Sequence, residues 1–222
     1  MTRLVLFDLD GTLVDTAPEI ADALNATLAV IGRGPVPEGQ VRLWIGDGAR
    51  ALLAKALDHL AVPPAAAARA WDAFADAYAE RCGQRSTVHA GVPAMLARLR
   101  HQGVHLAVLS NKEGRFAQRV LAAHDLLHAF DLIVAGDTLA VKKPHPDTVA
   151  HALASFGVAP GDALLIGDSA TDVRTARAAG IRVWLVRHGY PGGALSGEDA
   201  PDGFIASFDR FELPAARRVA IA

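Results

Sequence analysis

Five short apolar runs punctuate the chain, at Leu4–Phe7, Val104–Leu109, Leu132–Ala135, Ala163–Ile166 and Ile181–Val186. The first is apolar without interruption and predicts a strand buried on both faces. Each of the first four leads, through a short polar or glycine-bearing turn, into positions with helical spacing. Strand–helix alternation of this kind predicts an α/β fold, a Rossmann-like parallel sheet with helices on both faces. The interval between the first run and the second is far longer than the others and holds helical patterns but no strand candidate. Thr16 with Glu19 has the spacing of a capping box, and an apolar stripe at Ile20, Leu24, Leu28 and Ile31 follows until Gly32 stops it. Val41–Ile45, Ala49–Leu60 and Ala65–Cys82 carry further helical patterns. The expectation is therefore an all-α cap over residues 15–86, inserted into a core made of residues 1–14 and 87–222. Its hinges should lie at 14–17 and 83–91, where turn residues gather. Open α/β sheets place their sites at the carboxyl ends of the strands, so a lobe inserted there would hang over the site.

Composition narrows the classes. The chain has 222 residues, 51% apolar and 21% charged, with a net charge of −2, which suits a soluble globular protein. That balance supplies no general attraction to nucleic acid or to anionic membranes. No apolar run reaches membrane-spanning length, and Asp8 interrupts the first one too early for a signal peptide. The single Cys82 has no partner for an internal disulfide, which fits a reducing, cytoplasmic setting. Monomer and homodimer are both compatible with such a chain.

The chemistry gathers after the strands. The first runs into FDLDGTLVD, where Asp8 and Asp10 lie two apart and so point the same way, and Gly11 permits a tight turn. Two carboxylates side by side call for a cation or another partner, although acidic residues also sit in ordinary solvated turns. Ser110, Asn111, Lys112 and Glu113 follow the second strand; Lys143 stands in GDTLAVKKPHPD; and Asp168, Ser169 and Asp172 follow the fourth. Taken singly, Ser110 with Glu113 and Ser169 with Asp172 read as helix caps, and Lys143 as a surface lysine. Taken together, a hydroxyl, an ammonium and helix N-terminal amides suit phosphate oxygens. Asp8 and Asp168, with a backbone carbonyl, suit magnesium. A phosphate and a magnesium ion in one pocket point to phosphoryl transfer on a small phosphorylated metabolite.

These four signatures, in this order, resemble those of the haloacid dehalogenase superfamily of phosphotransferases, in the subgroup with a helical cap after the first strand. The resemblance covers essentially the whole chain. More narrowly it is with bacterial phosphoglycolate phosphatases, through WIGDGARALL at 44–53, SNK at 110–112, the GDTLAVKKPHPD segment and HGYPGG at 188–193. The usual aromatic-proline-glycine lead into the post-cap helix is replaced here by Val88-His89-Ala90-Gly91. The resemblance implies that Asp8 attacks phosphorus to give an aspartyl-phosphate, while Asp10 protonates the leaving oxygen and later activates water. Magnesium would be held by the Asp8 and Asp168 carboxylates and the Asp10 backbone carbonyl, with Asp172 orienting the ion's waters from one layer out. Ser110, Asn111 and Lys143 would bind phosphoryl oxygens. The cap loop Gly46-Asp47-Gly48 would meet the substrate, its glycines letting backbone approach closely, although Asp47 also reads as the cap of the next helix. Arg50 reads either as a guide for a substrate carboxylate or as an exposed helix-surface arginine. A phosphosugar phosphatase or phosphomutase of the same superfamily shares the first half-reaction, and a non-catalytic phosphate-binding protein would share only the scaffold. An acid at Asp10 favours phosphate esters over carbon–halogen substrates, which need no proton on an oxygen leaving group.

Overall fold

The computed structural model describes residues 1–190 and 200–214. In chain order it begins with β1 (Leu4–Phe7), β2 (Val14–Asp15), α1 (Ala17–Val30), α2 (Glu38–Arg42), α3 (Ala49–His59), α4 (Pro64–Ala67) and α5 (Ala70–Arg81). It continues with β3 (Thr87–Val88), α6 (Val92–His101), β4 (His105–Leu109), α7 (Gly114–Ala123), β5 (Leu132–Val134) and α8 (Asp147–Phe156). β6 (Ala163–Gly167), α9 (Ala170–Ala179), β7 (Arg182–Val186) and β8 (Gly203–Ile205) complete it. Six strands form one sheet in the order β5-β4-β1-β6-β7-β8, every neighbouring pair parallel.

β1 sits at the centre, and its side chains alternate between two packed layers. Leu4 and Leu6 join Val149 and Val173 of α8 and α9, whereas Val5 and Phe7 join Leu96 and Val120 of α6 and α7. All four residues of β1 are fully buried, each contributing about 1.5–3 kcal/mol. The sheet is one strand wider than the apolar runs predict, because β8 has only the sequence Gly-Phe-Ile and its Phe204 is exposed.

The long interval after β1 is helical, but it is bracketed by strands that the sequence reading lacks. β2 and β3 pair antiparallel, Val14 opposite Val88 and Asp15 opposite Thr87, so the two crossings between core and insert are tied together. Two-residue strands are too short to produce a periodic signal. Within the insert α1 packs on α5, and its Leu24 and Leu28 share one apolar cluster with Phe74 and Tyr78.

Two expected capping boxes do not form. Thr16 makes no side-chain cap bond to α1; its hydroxyl donates instead to Asp10 Oδ1 at 2.6 Å. Glu19 is fully buried and accepts the Tyr78 hydroxyl at 3.2 Å and the backbone N–H groups of Gly83 and Ser86 at 2.8 and 3.2 Å. The donors released where α5 ends have taken the carboxylate from its own helix. Ser110 and Glu113 fail for a simpler reason: α7 starts at Gly114, so Ser110 stands too far ahead of its first turn. Ser169 and Asp172 do form a capping box on α9.

Candidate active site

The carboxyl ends of β1, β4 and β6, with the loop before α8, bring the predicted core residues together. Asp8 is 4% exposed; its Oδ1 accepts the Leu9 N–H at 2.7 Å and lies 3.0 Å from Lys143 Nζ. Its other oxygen has no hydrogen-bond partner among the described residues. Lys143 is itself buried and donates to Asp172 Oδ1 at 2.7 Å. Asp172 Oδ2 accepts the backbone N–H groups of Asp168 and Ser169 at 3.2 and 3.1 Å and the Ser169 hydroxyl at 2.8 Å. One carboxylate thus caps α9 and anchors the lysine. Asp168 is held by Thr12 Oγ1 at 3.2 Å and by the Tyr190 N–H at 2.8 Å.

Burial pushes the Asp8 carboxyl up to about 6, against the pull of the Lys143 ammonium. Burial, and then the charges of Asp172 and Asp8, raise Asp168 well above the carboxylate range. Burial opposes the charge on Lys143, but Asp172 and Asp8 outweigh it and raise the ammonium pKa. Asp8, Asp168 and Asp172 bring carboxylate oxygens within 4.8 Å of one another, and Lys143 is the one ammonium in contact with them among the described residues. Crowded, undercompensated, oxygen-only donors fit a hard divalent cation such as magnesium. Gly11 keeps this corner open: its φ is +85°, and a Cβ there would lie 2.5 Å from Asp168 Oδ2 and 2.8 Å from the Tyr190 ring.

Asp10 stands beside this cluster and outside it. Its carboxylate accepts from Thr16 Oγ1 and from Lys112 Nζ, the latter at 2.9 and 3.2 Å. A cavity of about 40 Å³ opens over Asp8, Asp10 and Ser110, roofed by Ile45, Leu52 and Phe74 of the cap. That is space for about three waters.

The cap loop is latched to the core. Asn111 Nδ2 donates to the Gly46 carbonyl and to the Lys143 carbonyl, both at 3.1 Å, while Lys142 Nζ donates to the Asp47 carbonyl. The Asn111 side-chain N–H groups are therefore spent on backbone and not available to a phosphate, while its Oδ1 is buried with no hydrogen-bond partner among the described residues. Gly46 and Gly48 line the cavity, but Asp47 does not. Its carboxylate takes Lys55 at 2.7 Å and Thr171 at 3.2 Å, and it does not cap α3, whose N-terminal cap is Gly48. Arg50 is an exposed arginine lying 3.8 Å over the Trp71 ring, away from the cavity. Besides Thr12, three more residues around the site escaped the sequence reading. Lys112 was visible in SNK but carried no role; Tyr190 ties Asp168 to the Thr16 and Ala17 N–H groups at the start of α1; and Arg42 pairs with Asp15 at 2.8 Å. Tyr190 falls within the HGYPGG run, whose last three residues, 191–193, lie outside the described residues.

The chain belongs to the haloacid dehalogenase-like hydrolase family, whose model matches residues 5–186, and it is a phosphoric monoester hydrolase of that family. It is 44% identical over 200 residues to the "phosphoglycolate phosphatase, plasmid" of Cupriavidus necator, covering 88% of this chain and 87% of that protein. It is 40% identical over 205 residues to the phosphoglycolate phosphatase of Pseudomonas putida, covering 90% and 75% respectively. A crystal structure described as a predicted phosphoglycolate phosphatase from Haemophilus somnus superposes with a TM-score of 0.88 at 31% identity, covering 94% of this chain and 95% of that one. Among the described residues no helix is long and apolar enough to cross a membrane.

Proposed function

We propose that the protein hydrolyses 2-phosphoglycolate to glycolate and phosphate through an aspartyl-phosphate, with magnesium as its cofactor. The observation that carries this reading is Asp8: a buried carboxylate lining the cavity, with one oxygen pinned by Leu9 and Lys143 and the other without a hydrogen-bond partner among the described residues. With its carboxyl held at about 6, it is mostly ionised at neutral pH and able to attack phosphorus. Asp8, Asp168 and the Asp10 backbone carbonyl would hold the magnesium, with Asp172 steadying the assembly through Lys143 and the Asp168 N–H. When bound, the ion supplies the positive charge that lets an anionic nucleophile meet an anionic phosphate. Lys143 adds to that charge, and the Ser110 hydroxyl and the Asn111 backbone N–H take phosphoryl oxygens. Asp10, oriented by Lys112 and Thr16, must take up a proton when the substrate binds in order to give it to the leaving oxygen, and it takes one from water in the second step. The choice of 2-phosphoglycolate over a sugar phosphate rests on the phosphoglycolate phosphatases to which the chain is similar over most of its length. A phosphate-release screen across small phosphate esters, with and without chelator, tests the reading. The expected result is a preference for 2-phosphoglycolate that chelator abolishes and magnesium restores. Isomerised sugar phosphate without free phosphate would instead indicate a mutase, and full activity in excess chelator would remove the magnesium.

A further inference from the structure

Lys112 is the only cation among the cavity-lining residues described, and the phosphate-binding chemistry does not use it. Lys143 is committed to Asp8 and Asp172, Lys142 to the Asp47 carbonyl outside the cavity, and Arg50 to Trp71. Lys112 is 7% exposed and wedged between core and cap: Nζ lies 2.9 Å from Asp10 Oδ1 and 4.7 Å from the centre of the Tyr78 ring on α5. Tyr78 in turn is fixed through its hydroxyl to Glu19. An ammonium has three N–H donors, and the two Asp10 oxygens take at most two of them. The remaining donor has only the Tyr78 ring face beside it among the described residues, and an anion in the cavity would complete its shell.

We infer that Lys112 is the specificity-determining residue that reads a carboxylate on the leaving group. This rests on the proposed function and adds the residue that selects its substrate. The position follows from the chemistry. Asp10 protonates the ester oxygen, so that oxygen lies against the Asp10 carboxyl. In a 2-phosphoglycolate-like substrate a single methylene separates the ester oxygen from the carboxylate. The carboxylate therefore falls beside Asp10 as well, where the Lys112 ammonium already sits. Neutral two-carbon leaving groups would fit the same space and leave that third donor unmet, the kind of buried loss that separates close analogues.

Binding tests this independently of turnover. The probes are two non-hydrolysable phosphonates of equal length, 3-phosphonopropionate and propylphosphonate, used as competitive inhibitors of acetyl phosphate hydrolysis. Calorimetry on the magnesium-loaded protein provides the same ratio without activity. The wild type should hold the carboxylate-bearing probe about 10- to 100-fold more tightly, the range for a hydrogen bond to a charged group. In Lys112→Met that preference should collapse to within about threefold, and Lys112→Arg should keep part of it, with thermal melts showing both variants folded. A full preference in folded Lys112→Met, or none in the wild type, overturns the assignment. A wild type that prefers 3-phosphonopropionate but fails to hydrolyse 2-phosphoglycolate would sink the substrate and leave Lys112 in its role. Turnover of 2-phosphoglycolate without that binding preference would do the reverse.

Discussion

The cavity has two walls of opposite character. On the core side Asp8 lines the cavity and Lys143, Asp168 and Asp172 back it; all four are buried polar groups with two or more partners each, drawn from the ends of two strands, the loop before α8 and the start of α9. On the cap side, Ile45, Leu52 and Phe74 offer only shape, and the loop between them is jointed by Gly46 and Gly48. A wall in which every charge is cross-tied cannot adjust to its substrate without breaking several bonds at once, so it fixes the reaction. An apolar wall on a glycine-jointed loop changes at low cost, so it sets which leaving group is admitted.

The sharpest break of that comparison is on the core side. Asp8→Asn keeps the shape and removes the proposed nucleophile, so turnover should fall by about three orders of magnitude or more with the melting temperature not lowered. Phosphate release by the purified variant measures it, and retention of about a tenth of wild-type turnover would show that Asp8 is not the attacking group.

Glu19 tests whether the walls depend on a shared seam. It lies on the cap side but is as heavily tied as any core residue, accepting Tyr78, Gly83 and Ser86 while wholly buried. Glu19→Ala leaves those donors without an acceptor and should cost about 2–4 kcal/mol in denaturant unfolding. A change below about 0.5 kcal/mol would mean that water replaces the carboxylate and that the seam contributes little.

The contrast between the walls also explains what could be read from sequence. Core residues announce themselves because each must follow a strand: the apolar runs locate β1, β4 and β6, and the polar residues next along the chain are Asp8, Ser110 and Asp168. Lys143 was legible only in company, since nothing near it in sequence hints at Asp172, 29 residues on. The cap side is hidden because its contacts are made across the chain. Glu19 has the spacing of a cap and serves residues 64 and 67 positions away. Asp47 sits in a turn that reads as substrate-facing, yet its side chain goes to Thr171 and Lys55. Local spacing describes what a residue offers its own helix, not which distant donor competes for it.

On the cap loop itself the two neighbours should separate. Gly48 has φ +88°, and a Cβ there would lie 2.9 Å from the Asn111 carbonyl oxygen, a backbone atom that cannot step aside. Gly48→Val should therefore lower kcat/KM for 2-phosphoglycolate by about 10- to 100-fold, mostly through KM, with less effect on acetyl phosphate. Asp47→Ala, whose carboxylate points away from the cavity, should change the same ratio by less than about threefold. If Asp47→Ala were the more damaging of the two, the carboxylate would be reaching the substrate after all.

The smallest expected effect lies where the walls join. His89 follows β3 at the return from cap to core, its ring 3.9 Å from that of His188, which in turn contacts the Thr12 carbonyl at 3.1 Å. Burial, and then the His188 ring, lower its pKa from the usual 6.5 to about 4; Asp15 and a hydrogen bond to the Gly11 backbone oppose them, and Arg42 adds to the lowering. His89 Nε2 is buried with no hydrogen-bond partner among the described residues, so the ring is held neutral. Below its ordinary pKa the unfolded chain takes up a proton there that the folded chain refuses, and proton uptake favours the state that binds it. Its contribution is therefore intact above about 6.5 and is lost progressively as the pH falls towards 4. His89→Phe keeps an aromatic ring and removes the titration, so its melting temperature should fall less than that of the wild type between pH 6.5 and pH 4. At neutral pH the two should differ little, because the lost Gly11 bond is offset by removal of a buried unpaired nitrogen. Equal acid sensitivity in both proteins would move the cause elsewhere. The raised carboxyl of Asp8 is not that cause, since a carboxyl raised to about 6 favours the folded state as the pH falls. The slope of melting temperature against pH, read in both variants, thus separates the seam from the core wall by its sign.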